Sequence, residues 1–110
     1  MREYGKMKPE KISGVKKMEH YIIVKFKNRE DRVRLLAPIR ALFETALDID
    51  GVRDVHIFPG NSYRDNRYDL MIRMTVTPEG LERYDVSGMH REWKEKYGAL
   101  IEKKAIFDCE

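Results

Sequence analysis

An α+β fold in the order β-α-β-β-α-β is predicted by three features of the sequence. Four short segments are β-branched or aromatic, two intervening stretches carry apolar residues at helical spacing, and 110 residues fit one domain. This is the ferredoxin-like arrangement, an antiparallel four-stranded sheet with its helices on one face. Residues 20–27, HYIIVKFK, read as the first strand. Asn28 and Asp31 can cap the first helix, in which Val33, Leu35, Leu36, Ile39, Leu42, Phe43, Ala46 and Leu47 form one apolar stripe. Pro38 falls inside that stripe and should kink the helix or mark where its regular part begins. Asp50-Gly51 ends the helix. Val52 to Phe58 is the second strand, Pro59 to Arg67 a polar loop, and Tyr68 to Val76 the third strand. Thr77-Pro78-Glu79 starts a helix with a hydroxyl cap, a proline at the first position and an acid near the positive helix end. Ser87-Gly88 interrupts it, and a second piece runs from about Met89 to Ile101. KAIFDC, residues 104–109, closes the sheet.

The strands differ between their two faces. His20, Ile22, Val24 and Phe26, with Tyr68, Leu70, Ile72, Met74 and Val76, make a nearly continuous apolar register that should face the helices. Tyr21, Ile23, Lys25, Asp69, Met71, Arg73 and Thr75 make the other, too apolar for a freely solvated face. A second sheet should cover it, with Lys25, Arg73 and Asp69 paired or at the rim, so a homodimer is expected.

Charge bounds the function classes. Residues 1–19 hold six basic and three acidic side chains, which is the whole net excess of +3, and the rest carries sixteen of each sign. Residues 1–19 are therefore expected to form a basic, flexible extension and residues 20–110 the folded domain. A neutral domain without a glycine-aromatic signature on its sheet argues against nucleic acid. The apolar runs are too short for a membrane partner, and the single cysteine, Cys109, fits a reducing cytoplasm and reads as chemically inert.

The runs HYIIVKFK, DGVRDVHIF and YDLMIRMTV, the helix start before Tyr84, then His90 and the closing IFDCE resemble the stress-responsive α/β-barrel (Dabb) family over His20 to Glu110. The resemblance implies a dimeric α/β barrel in which two four-stranded sheets face each other and the helices lie outside. A plant polyketide cyclase of that family has its catalytic tyrosine at the position of Tyr84, its catalytic histidine at that of His90 and a pocket histidine at that of His20. A second pocket histidine is replaced here by Leu70, and the family's frequent histidine-proline pair by Ser87-Gly88.

The resemblance makes His90 a general base and Tyr84 a hydroxyl donor to a developing enolate. His20 would orient the substrate or hold a water. Ile22, Val24, Leu70, Ile72 and Met74 from the sheet, Ile39 and Leu42 from the helix and Ile106 from the last strand would line a pocket for a small apolar or aromatic ligand. Polyketide cyclase- or lyase-like chemistry stands beside three other readings: a binding domain without turnover, a purely structural dimer and a monooxygenase-like barrel. No cofactor is expected, and no metal, because nothing groups His56 with His20 and His90. Trp93 and Tyr97, spaced i, i+4, are expected in packing or at a dimer edge.

Overall fold

The computed structural model describes residues 16–110. Strand β1 spans Met18–Phe26. A single helical turn, α1 (Asp31–Arg34), leads into α2 (Leu36–Glu44) and a 3-10 turn over Thr45–Asp48. Strands β2 (Val52–Pro59) and β3 (Leu70–Val76) come next, then helices α3 (Pro78–Asp85) and α4 (Gly88–Tyr97) and strand β4 (Ile101–Cys109). The sheet order is β2-β3-β1-β4, and every neighbouring pair is antiparallel. That is the predicted ferredoxin-like order, with the chain's first and third strands at the centre of the sheet.

Local chemistry accounts for the element boundaries. Pro38 sits in the first turn of α2, where its missing N–H has no helical acceptor to lose, so it opens the regular helix instead of bending it. The Thr77 hydroxyl accepts from the Gly80 N–H at 3.0 Å, and Pro78 is the first helical residue. Ser87 repeats the device for α4, accepting from the His90 N–H at 3.2 Å. Gly51 has φ +94°, a left-handed conformation that a side chain disfavours. The start of α3 also lies directly on it: a Cβ added to Gly80 would collide with the Gly51 carbonyl.

The core lies between the helices and one face of the sheet. Ile22, Val24 and Phe26 of β1 and Leu70, Ile72, Met74 and Val76 of β3 are buried against Ile39, Leu42 and Phe43 of α2. Each such side chain contributes about 1.5–3 kcal/mol by leaving water. Phe43 meets Trp93 edge-on at 5.0 Å, and Trp93 meets Tyr97 at 5.5 Å, so these two aromatics of α4 belong to the core.

Several expectations are corrected. Tyr68, predicted in the third strand and facing the helices, lies in the preceding loop, 37% exposed, and β3 begins at Leu70. Ile101, predicted to end the last helix, opens β4 instead: α4 stops at Tyr97 and a 3-10 turn covers Gly98–Leu100. β1 starts two residues inside the stretch expected as an extension, while residues 1–15 of that stretch lie outside the described residues. Asp69 is paired, as expected, and fully buried. Its carboxylate accepts from the Phe26 N–H at 2.8 Å, from Arg29 Nε at 3.0 Å and from Arg32 Nε at 2.9 Å. The same two guanidinium groups donate to the carbonyls of Gly60, Ser62, Tyr63, Arg64 and Arg67, which ties the β2–β3 loop to the end of β1. A buried carboxylate with three charge-assisted or backbone donors is well compensated.

On the face away from the helices, Tyr21, Ile23, Met71, Arg73 and Thr75 are half-buried, and Phe107 is 60% exposed. Lys25 is buried, its ammonium donating to the Asp65 carbonyl at 2.6 Å and carboxylate at 3.1 Å. That bond holds the Asp65 carboxyl below the usual carboxylate range. Arg73 pairs with Asp54 at 3.6 Å and lies over the Phe58 ring. Among the described residues no helix is long and apolar enough to cross a membrane.

Candidate functional site

A cavity of about 330 Å³ opens between helices α3 and α4 and the outer strand β4. Its floor is β1, which supplies His20 and Ile22. Strand period places Lys104, Ile106 and Asp108 of β4 on one face, and their register partners on β1 are Val24, Ile22 and His20. Helix α3 contributes Leu81, Tyr84 and Asp85, and α4 contributes His90 and Trp93.

The break between the two helices brings Tyr84 and His90 together. They are six residues apart, which on one straight helix would place them on different faces. Ser87 and Gly88 restart the helix, and the two rings stand 4.6 Å apart. Tyr84 is 1% exposed, and its hydroxyl has no hydrogen-bond partner among the described residues. Burial, with a smaller contribution from the Asp85 charge, pushes its phenol well above the ordinary value, so it stays protonated and remains a donor. Nδ1 of His90 lies 3.0 Å from the Asp85 carbonyl. A carbonyl only accepts, so Nδ1 carries the proton and Nε2 keeps the basic lone pair. Partial burial, together with Lys94 and Lys104, lowers the His90 pKa, which leaves this imidazole neutral at physiological pH. His20 stands on the other side of Tyr84, with its ring 5.9 Å away and its Nδ1 2.5 Å from Asp108 Oδ1.

The cavity thus gathers His20, Ile22, Tyr84, His90 and Ile106 from the residues singled out in the sequence. Val24, Leu70, Ile72, Met74, Ile39 and Leu42 lie instead in the closed core, because α2 packs directly on that part of the sheet. Leu81, Asp85, Lys104 and Asp108 line the cavity without having been singled out, and Trp93, expected only in packing or at a dimer edge, lines it too. The signal for two of them was present: once Ile106 faces inward, a strand period of two places residues 104 and 108 beside it.

Fold and cavity together define a ferredoxin-like α+β protein with a pocket between the sheet and its last two helices. No family model matches the chain, and no curated protein matches it. Among solved structures it is similar to a dimeric ferredoxin-like protein of unknown function from Bacteroides fragilis, at TM-score 0.71 and 13% identity over 86% of this chain and 95% of that one. It is also similar to a Dabb family protein with a ferredoxin-like fold from Mesorhizobium loti, at TM-score 0.57 and 15% identity over 84% and 93%. A candidate monooxygenase from Fusobacterium nucleatum aligns at TM-score 0.69 and 13% identity, over 86% of this chain and 42% of that one. At these identities the likeness is one of fold.

Proposed function

We propose that this chain forms a homodimeric α/β barrel whose cavity binds a small, largely apolar or aromatic carbonyl compound and moves a proton on the carbon next to the carbonyl. The observation that carries this reading is the buried, unpartnered Tyr84 hydroxyl beside a neutral His90. A buried donor without an acceptor is costly, and a substrate oxygen would satisfy it. In the proposed step His90 Nε2 takes the proton from the α-carbon. The C–H electron pair moves into the C–C bond, and the carbonyl becomes an enolate that accepts a hydrogen bond from Tyr84. The imidazolium then returns the proton to carbon, or the enolate carbon attacks a second carbonyl of the same molecule, whose π electrons move onto its oxygen as an alkoxide that takes the proton back from the imidazolium, which is the ring closure of a cyclase. Supporting the dimer are the apolar residues Ile23 and Met71, paired in register on the outer sheet face, and the dimeric state of the Bacteroides fragilis neighbour.

The test is deuterium exchange at the methyl group of acetophenone, monitored by NMR. Wild-type protein should exchange it about 100-fold or more above buffer, as expected for a positioned general base. His90→Ala should return it to the buffer rate while the far-ultraviolet circular dichroism is unchanged. Exchange at the buffer rate in wild type, or equal exchange in the variant, would remove the assignment. For the assembly, Ile23→Asp with Met71→Asp should convert a dimer into a monomer in analytical ultracentrifugation.

A further inference from the structure

Resting on the acid-base reading of the same cavity, we propose that its ligand also carries an anionic group, a carboxylate in the simplest case, and that Lys104 is the residue that recognises it. The natural ligand class is then an enolisable oxo acid and not a neutral ketone.

Strand β4 presents three different side chains along one wall of the cavity: the Lys104 ammonium, the apolar Ile106 and the Asp108 carboxylate. Alternate residues of a strand lie about 6.5–7 Å apart, so the wall reads cation, apolar step, anion over about 13 Å. The anion is already engaged, because Asp108 lies 2.5 Å from His20 Nδ1. Lys104 has no ion pair or hydrogen bond among the described residues, although acidic groups outnumber other cations on this lining. Lys94 and Lys104 oppose the Asp85 carboxylate around His90, which stands in the first turn of α4, at the positive end of that helix. A ligand whose carbonyl meets Tyr84 and His90 and whose apolar body lies on Ile106 and Trp93 would reach Lys104 with its far end. A carboxylate there gains a charge-assisted bond that a neutral isostere lacks. Lys104 would thus set specificity and would take no part in the proton transfer.

The experiment compares phenylacetate with phenylacetamide, which have the same shape and differ in charge. Binding to the intact chain at pH 7.5 is monitored by the fluorescence of Trp93, the only tryptophan in the sequence and part of the cavity lining. Wild type should bind phenylacetate at least about tenfold more tightly than the amide, and added salt should narrow the gap. Lys104→Met should abolish the preference by weakening phenylacetate alone, and Lys104→Arg should keep it. Lys104 is exposed on an outer strand, so both variants should fold as wild type does. The His90 imidazole, titrated by NMR, should move to higher pKa in Lys104→Met, since a neighbouring cation is lost. Equal affinities in wild type, a preference that survives Lys104→Met, or no binding of either compound at millimolar concentration would overturn the proposal. The acetophenone exchange involves no anion, so it can fail while the charge preference holds, and the reverse is equally open.

Discussion

Tyr84→Phe should make the protein more stable while destroying the proposed chemistry. The substitution removes one oxygen and changes nothing else in the ring's packing against Phe43 and His20. That oxygen is buried and has no partner among the described residues. An unsatisfied buried polar group costs about 1–3 kcal/mol, whereas a satisfied hydroxyl would contribute about 1 kcal/mol. The two cases differ in sign, so a modest measurement decides between them. Because one side of Tyr84 borders the cavity, the lowest quarter of that range applies, a gain of about 1–1.5 kcal/mol. For a domain of this size the melting temperature should rise by roughly 4–12 °C. Urea denaturation of wild type and variant at the same protein concentration measures it, with the slope unchanged and the midpoint raised. Acetophenone exchange on the same samples should fall toward the buffer rate. A variant destabilised by about 1 kcal/mol would show that the hydroxyl is satisfied in the resting protein, and the argument from an orphaned donor would fail.

Stability should also depend on pH through His90, whose folded pKa lies below the ordinary 6.5. Between the two values the unfolded chain binds the proton more readily, so the stabilisation is present above pH 6.5 and is lost as pH falls through and below it. His90→Gln should flatten that slope in urea titrations run from about pH 5 to pH 8. Asp69→Ala should cost about 3–5 kcal/mol, because it leaves two buried or half-buried guanidinium groups and the Phe26 N–H without their acceptor. Thermal melts would register this as a large fall in midpoint, and a loss under about 1 kcal/mol would contradict the buried-pair account. Gly51→Ala should cost more than about 1 kcal/mol, since the residue has φ +94° and a Cβ would lie 2.6 Å from the Gly80 Cα.

The fold was legible because period and punctuation agreed. The alternation in HYIIVKFK and LMIRMTV, the Thr77-Pro78 start and the Ser87-Gly88 break all reappear at their expected places. The misplaced boundaries have local causes. Tyr68 continues the alternation of β3 on paper, but the chain bends at Asp69, whose buried carboxylate is held by the Phe26 N–H, Arg29 and Arg32. The segment around Ile101 is helical by composition until Gly98, and the 3-10 turn there allows a strand to begin. Much of the pocket was not legible, because strand parity identifies the face a residue occupies and not which part of that face the helices cover. Ile72 and Ile106 both belong to the helix-facing side, yet α2 closes over Ile72 at 0% exposure while Ile106 remains 50% exposed at the cavity. The buried Asp69 cluster depended on Arg29 and Arg32 reaching a carboxylate about forty positions away, and no local pattern announces such a contact.

The connection between β2 and β3 resembles a dispensable surface loop when seen as a string of glycine, asparagine, serine and aspartate. Two arginines hold its carbonyls, Tyr63 lies against the Arg32 guanidinium at 3.9 Å, and Lys25 grips Asp65. Engineers looking for a place to splice a tag, a fluorophore or a protease recognition sequence should therefore avoid it. Lengthening this stretch would pull apart anchors that reach back to the end of the first strand, and the damage would be felt as misfolding instead of as a harmless graft.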